Sequence, residues 1–436
     1  MKDATPFQIA VIGGFAFMAM VGVFFLATFS INSTPEEERI GPVSIWGTYD
    51  ARVINDWIQT MAEVDKNLSQ IRYYEIARDE FDRELLEALA EQRGPDVLLL
   101  DNSQVYEQRN RIFKLTGDTL ARSDFRTTFV QMTEAYETPQ GILGLPLFSN
   151  PLVLFWNRTI FQSASLVAPP VSWQEYSLLV PQFTQTQGNL VVTKSALPFG
   201  ETANIMNGKE LVWALSLQSG NPLSFFNEDG DATALLAGAD GGAIPSLAQA
   251  ADFFLSFSNP SSPLYSWNRS LPPAQDYFVS GNAATYVGFA SEIRTVQQKN
   301  PNLNFDIAEL PQSSTGTSKS TYADLYGLFL TNGSLNKAGA YRAMTTLTSR
   351  NSLTQLQERL NLGVVRRDMA SQVSGDELFT NIFARSSIYG ATVIDPSDVL
   401  SDQIYTSMLQ KIASGQRNAT QAISVANQEI QTLYNE

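Results

Sequence analysis

Between Gly141 and Arg158 the chain reads GILGLPLFSNPLVLFWNR, and no other stretch restricts the possible folds as much. Apolar residues run up to Leu145-Pro146, meet a short polar kink at Ser149-Asn150-Pro151, and resume from Leu152 to Trp156 before the polar Asn157. Proline locks φ and cannot donate to a ladder, so the pattern reads as a strand, a stiffened crossing and a second buried strand. A chain built this way can leave one domain and enter another without a flexible linker.

The N-terminus adds a second constraint. From Phe7 to Phe29 there is no charged residue, and about 20 apolar residues span a bilayer as a helix. A cleaved signal peptide has a shorter apolar core, about 7–15 residues, and ends in a small-x-small site. Ala27-Thr28-Phe29-Ser30 is a poor site of that kind. The expectation is a single-pass anchor over residues 7–29, a cytoplasmic stub over 1–6 and a polar tether over 30–42. The body would then stand outside the cell membrane.

The rest of the 436 residues is long enough for two domains. The chain has neither cysteine nor histidine. That excludes disulfides, a lipid-modified cysteine, thiolate metal sites, histidine triads and the common zinc sites. A net charge of −15 with no basic stripe argues against nucleic acid as a partner. No cofactor or metal is expected.

Val43–Gly47 reads as a first strand and Ala51–Val64 as a helix, with Val53, Ile54, Trp57, Ile58 and Met61 on one face. A strand over Gln70–Ile76 and a helix over Glu80–Arg93 follow. Asp79 is placed to cap that helix and Gly94-Pro95 to stop it. Asp96–Asp101 has the continuous apolar run of a strand buried on both faces. This alternation predicts an α/β layer with a largely parallel sheet. Further on, Ser172 and Glu175 form a capping-box pattern around Trp173, which marks that indole as a structural wedge. Helices are expected over Asn204–Gly220, Ala248–Phe257, Val399–Ile412 and Ala419–Tyr434, and an exposed loop over Ser313–Thr321.

Taken in order, these motifs resemble the bacterial extracellular solute-binding proteins of family 1, the maltose-binding-like receptors of ABC importers. Gly141–Arg158 resembles their first crossing between lobes. Gly94–Leu100 resembles their glycine, Pro-Asp and apolar element, without the usual spacer after the glycine. Pro170–Tyr176 resembles a helix start of the family. Tyr277–Ser291 resembles its second crossing, with Phe289 where tryptophan is usual. Phe305–Pro311, Tyr326–Leu330 and Asn336–Tyr341 resemble later elements, so the likeness covers nearly all of Gly41–Glu436. It implies an α/β, two-lobed fold of the type II periplasmic-binding-protein kind, preceded here by the transmembrane helix. The first lobe would comprise 43–148 plus 290–342, the second 149–289 plus 343–436. Permease subunits of an ABC transporter would be the partner.

Two lobes joined by crossing strands close on a ligand by hinge motion. Ligands of open α/β sheets sit beyond the carboxyl ends of strands. That rule selects Trp46, Thr48, Tyr49 and Asp50, then Asp101, Asn102 and Ser103, then Phe148 and Ser149 at the first crossing. It also selects Phe289 and Ser291 at the second crossing, and Tyr322 and Tyr326 on the later strand. Aromatic faces pack on sugar C–H groups, and short polar side chains satisfy hydroxyls. An oligosaccharide is therefore the expected ligand, with Trp46, Asp101 and Phe289 as leading contacts. The family also takes polyols, glycerophosphates and peptides.

Other signals carry less. Asn227–Asp231 lacks the ligand spacing of a calcium loop and reads as a surface turn. Gly241-Gly242 lacks the lysine of a phosphate loop. Arg366-Arg367-Asp368 reads as a solvated, salt-bridged loop. A glycosidase needs only two carboxylates, but Asp50 and Asp101 are the only loose candidates at strand ends, so no enzyme is expected. The alternative is a binding module of the same fold used for sensing or surface assembly without transport.

Overall fold

The computed structural model describes residues 14–15, 17–21, 40–188, 191–237, 245–314, 316, 319–370 and 378–435. From Val43 the chain alternates through β1 (Val43–Gly47), α1 (Ala51–Val64), β2 (Ile71–Glu75), α2 (Phe81–Ala90), β3 (Val97–Asp101) and α3 (Asn102–Gln108). β2 and β3 both pair with β1 in parallel. All five residues of β3 are buried, as its unbroken apolar run requires. On α1 the stripe Ile54, Trp57, Ile58 and Met61 is buried. Helix α2 starts at Phe81, and its cap position falls on Glu80 with no side-chain cap bond. Asp79 therefore stands outside the helix rather than capping it.

The later strands are β4 (Leu145–Asn157), β5 (Thr285–Phe289), β6 (Phe305–Ala308), β7 (Thr321–Leu330) and β8 (Gly390–Ala391). Among the later helices are α4 (Trp173–Phe183), α5 (Gly208–Leu217), α6 (Ile293–Lys299), α7 (Lys337–Leu347), α8 (Arg350–Leu360), α9 (Leu378–Ile388), α10 (Asp398–Ala413) and α11 (Ala419–Asn435). The main sheet runs β5-β4-β7-β3-β1-β2, with β6 also on β4 and β8 on β7.

Two long strands carry the chain between lobes. β4 is one 13-residue strand, buried throughout, and the expected kink does not interrupt it. Asn150 and Pro151 lie opposite Asp324 and Ala323 of β7. Ser149 instead exchanges backbone bonds with Gly363, at 3.1 and 2.8 Å. The first part of β4 joins β7, which joins β3, while Leu152–Asn157 is flanked by β5 and β6. The return crossing is therefore β7, not the Phe289–Ser291 region. Residues 290–308 stay with the second lobe, because β6 pairs with Leu154–Asn157. Helix α8 was expected in the second lobe but packs on α1 of the first. The Trp57 indole N–H donates to the Ser352 carbonyl at 2.9 Å, and Arg359 Nε meets Asp56 at 2.7 Å. Helical periodicity says which face of a helix is buried, never which lobe buries it.

Packing at the hinge is tight. Ser149 Oγ lies 2.9 Å from Ser387 Oγ, and a Cβ on Gly363 would collide with both hydroxyls, so only glycine fits there. Just beyond, the fully buried Phe155 ring meets Phe278, Tyr286 and Phe305 at 6.3, 5.8 and 6.1 Å. Each such burial contributes roughly 1.5–3 kcal/mol. Trp173, at the start of α4, packs on Tyr176, Phe199 and Phe253 while its N–H donates to Gln218 at 3.0 Å. Ser172 caps α4 by accepting from the Glu175 N–H.

Of the expected anchor, only residues 14–15 and 17–21 are described, as exposed helix. The remainder of Phe7–Phe29, the stub and residues 30–39 of the tether lie outside the described residues, as do Gly241-Gly242. Among the described residues no helix is long and apolar enough to cross a membrane.

Candidate functional site

Strand ends of the first lobe form one wall of the interlobe cleft. After β1 the chain turns through Thr48, Tyr49 and Asp50. The Tyr49 N–H donates to the Tyr73 hydroxyl at 2.8 Å, and that hydroxyl donates back to the Tyr49 carbonyl at 2.7 Å, so the turn is pinned. Burial pushes the Tyr49 phenol up to about 12, with Arg294 across the cleft pulling the other way. Asp50 caps α1 and pairs with Arg52 at 2.8 Å. Asp101, at the end of β3, caps α3 through the N–H groups of Ser103 and Gln104. It also holds Arg78 at 2.6 Å, and Arg78 continues to Ser103 Oγ at 2.6 Å.

The two crossing strands make the floor. Side chains alternate faces along a strand, so Phe148 and Asn150 of β4 share the cleft face with Tyr322, Asp324 and Tyr326 of β7. Register sets Phe148 beside Tyr326 and Asn150 beside Asp324. The Phe148 and Tyr326 rings stack at 4.5 Å, and Tyr49 meets both edge-on at 5.2 and 5.8 Å. Ser149 faces the other way, toward Ser387.

From the second lobe, Trp213 of α5 and Phe289 of β5 meet the Tyr322 ring at 5.2 and 6.2 Å. Asn150 fastens Ser291 by donating to its hydroxyl at 3.1 Å and accepting its N–H at 3.0 Å. At the start of α5, the buried Lys209 ammonium sits 2.8 Å from Asp395, 3.0 Å from Asp398 and 3.5 Å from Glu210. Burial opposes its charge, yet the three carboxylates outweigh that and hold the lysine above its ordinary range. Arg78 reaches the same Asp398 at 3.5 Å from the opposite lobe. At the other rim Arg294 donates to the Arg359 carbonyl at 2.6 Å. The space between Thr48–Asp50, Ser291 and Arg294 is a cavity of about 380 Å³.

Two larger hollows lie elsewhere, one of about 530 Å³ around Gly200, Arg269 and Gln410, one of about 1000 Å³ between Met132, Phe225 and Tyr389. Neither is lined by the Thr48–Asp50 turn that follows β1. Among the described residues no group of three or more carboxylates is placed to hold a metal ion.

The candidates read from sequence separate by environment. Thr48, Tyr49 and Ser291 line the cavity of about 380 Å³, while Phe148 and Tyr326, and Tyr322 and Phe289, meet in the ring clusters of the crossing strands and β5. Trp46 packs against the hydrophobic core, one residue before its strand ends. Asn102 is saturated, donating to the Tyr322 hydroxyl and the Val393 carbonyl at 3.0 Å each and accepting from the Leu325 N–H. Asp101 is committed to its cap and to Arg78, so it positions a guanidinium instead of facing open space. Asp324, Glu210, Trp213, Arg78 and Arg294 were not among the candidates. Asp324 had a readable signal, because Tyr322-Ala323-Asp324-Leu325-Tyr326 alternates polar-aromatic with apolar residues. The others depend on contacts between distant elements.

Glu210 yields a pH prediction. Burial raises its carboxyl to about 7, against the pull of Lys209. The folded state therefore binds the proton more tightly than the unfolded chain. Stability from this group is complete at acid pH and falls as pH rises from the unfolded value to about 7. Relative to Glu210→Gln, the wild type should lose roughly 3 kcal/mol across that window. Urea unfolding of both proteins at several pH values checks this, and parallel curves would refute it.

A family model described as bacterial extracellular solute-binding protein matches residues 70–380. No curated protein sequence matches the chain significantly. Among solved structures, a cyclo/maltodextrin-binding protein complexed with maltotetraose is similar over 92% of this chain and 98% of its own, with 15% identity and a TM-score of 0.71. The sugar-binding protein MalE of Xanthomonas citri covers 90% and 97%, with 16% identity and a TM-score of 0.71. A cyclic alpha-maltosyl-1,6-maltose binding protein of Arthrobacter globiformis covers 90% and 99%, with 16% identity and a TM-score of 0.69. At these identities the likeness establishes the two-lobed α/β fold.

Proposed function

The chain belongs to the bacterial extracellular solute-binding proteins, and from that premise we propose that it captures an oligosaccharide between its lobes and delivers it to an ABC importer. The observation that carries this reading is the convergence of two aromatic groups, Tyr49–Phe148–Tyr326 and Trp213–Tyr322–Phe289, on either side of Asp324. Flat apolar faces beside hydrogen-bonding groups suit a pyranose, which is apolar on its faces and polar around its rim. Structural neighbours that bind maltotetraose and cyclic maltosyl-maltose support the same class.

Asp50 and Asp101, the two loose carboxylate candidates, are both engaged by arginine and by helix N–H groups. In this proposal the uncharged run Phe7–Phe29 tethers the body to the membrane beside its transporter, raising the effective concentration of loaded receptor. Retention in the membrane fraction after alkaline carbonate washing tests the tether.

Thermal unfolding of the full chain in mild detergent, against sugars, polyols and peptides, tests the ligand class. A sugar at about 100 times its Kd should add roughly 2.7 kcal/mol of stability. A flat response from folded protein would refute sugar capture and favour a sensing or assembly role.

A further inference from the structure

The cleft gathers more carboxyl groups than cations. Arg78 is engaged by Asp101 and Asp398, at 2.6 and 3.5 Å. Lys209 is engaged by Asp395, Asp398 and Glu210. Arg294, at the rim, gives its Nη2 to a backbone carbonyl. Among the described residues no ion pair reaches Asp324. Its Oδ1 accepts from the Tyr322 hydroxyl at 3.0 Å, and the charges bearing on it, from Asp101 on β3, Glu210 on α5 and Asp398 on α10, are all acidic. Aromatic rings stand on both sides of it along β7, those of Tyr322, Trp213 and Phe289 toward one lobe and those of Tyr326, Tyr49 and Phe148 toward the other.

We propose, building on the sugar-binding reading above, that the cargo is an amino sugar whose protonated amine takes Asp324 as its counter-ion. An ammonium brings three N–H donors and the cationic partner that Asp324 lacks. Aromatic faces attract cations as well as sugar C–H groups. A sugar acid or sugar phosphate finds both interior cations already committed.

Proton balance follows from the same geometry. Burial, then Asp101 and Glu210, hold the empty cleft's Asp324 carboxyl well above the usual carboxylate range. That shift favours the protonated acid in the empty cleft. Binding R–NH3+ to the Asp324 carboxylic acid forms the ammonium–carboxylate pair and sends one proton to solvent. Affinity for the amine should accordingly rise with pH while the amine stays protonated.

The experiment is calorimetry on the full chain with the β-1,4-linked glucosamine dimer, its N-acetylated form, and cellobiose, in which hydroxyls replace the amines. Titrations run between about pH 5.5 and 7, in two buffers of different ionisation enthalpy. The dimer with free amines should bind at least tenfold tighter than cellobiose and release a proton, which neither neutral sugar should do. Asp324→Asn, which is isosteric, should lower amine affinity at least tenfold more than it lowers cellobiose affinity, bringing the two to a similar level. The wild-type buffer dependence is a readout that needs no variant. Equal or tighter binding of cellobiose, or no proton release with the amine, overturns the inference while leaving sugar capture intact. No binding of any sugar overturns both.

Discussion

Replacing Lys209 by methionine is expected to destabilise the protein by about 3–5 kcal/mol, because it leaves a buried carboxylate without its cation. Lys209 and Asp395 are both almost completely enclosed, their side chains 1% and 2% exposed. Methionine fills a similar volume, so the loss would come from charge and hydrogen bonding rather than from a cavity. The ammonium also holds Ser401 Oγ at 3.0 Å and the Asp398 carbonyl at 3.3 Å. These contacts tie α5 to the start of α10. Urea unfolding of Lys209→Met measures the loss, and the double variant with Asp395→Asn should recover much of it, since the stranded charge is then gone. A single-variant loss below about 1 kcal/mol would show that water reaches the pair.

Tyr326→Ala is the second large effect, expected in binding. Tyr326 stacks on Phe148 and receives the edge of Tyr49, so its removal opens the cleft floor. Losing a stacked aromatic surface is worth about 2–4 kcal/mol from burial and ring geometry together. For the sugar that stabilises the wild type, that corresponds to a loss of affinity of about 30- to 700-fold. Tyr326→Phe keeps the ring and should stay within a few-fold. Calorimetry on the three proteins decides, and an unchanged Kd in the alanine variant would remove Tyr326 from the binding surface.

Much of the fold was legible because its signals are local. Gly141–Asn157 announced a crossing, and Asp96–Asp101 announced a buried strand, since period and apolar run length depend on neighbours in the chain. The alternation along Thr321–Tyr326 equally announced that Tyr322 and Tyr326 share a face, and would have announced Asp324 with them. The return crossing was misplaced by two strands because β5, β6 and β7 all read as buried strands, and pairing partners leave no mark on periodicity.

Length, the absence of cysteine and histidine, helix and strand periods, and the order of the motifs were thus settled by the sequence itself, because each is a property of residues close together in the chain. Which candidates face the cleft was settled only by tertiary contacts. Asn102 looks like a free strand-end amide until Tyr322 and Val393, 220 and 291 positions away, saturate it. Asp101 becomes an anchor for Arg78, and Asp324 keeps its carboxyl group without a cationic partner, for the same reason. A polar group's availability depends on what else the fold brings within hydrogen-bond distance, and those partners are too remote in sequence for any local pattern to record.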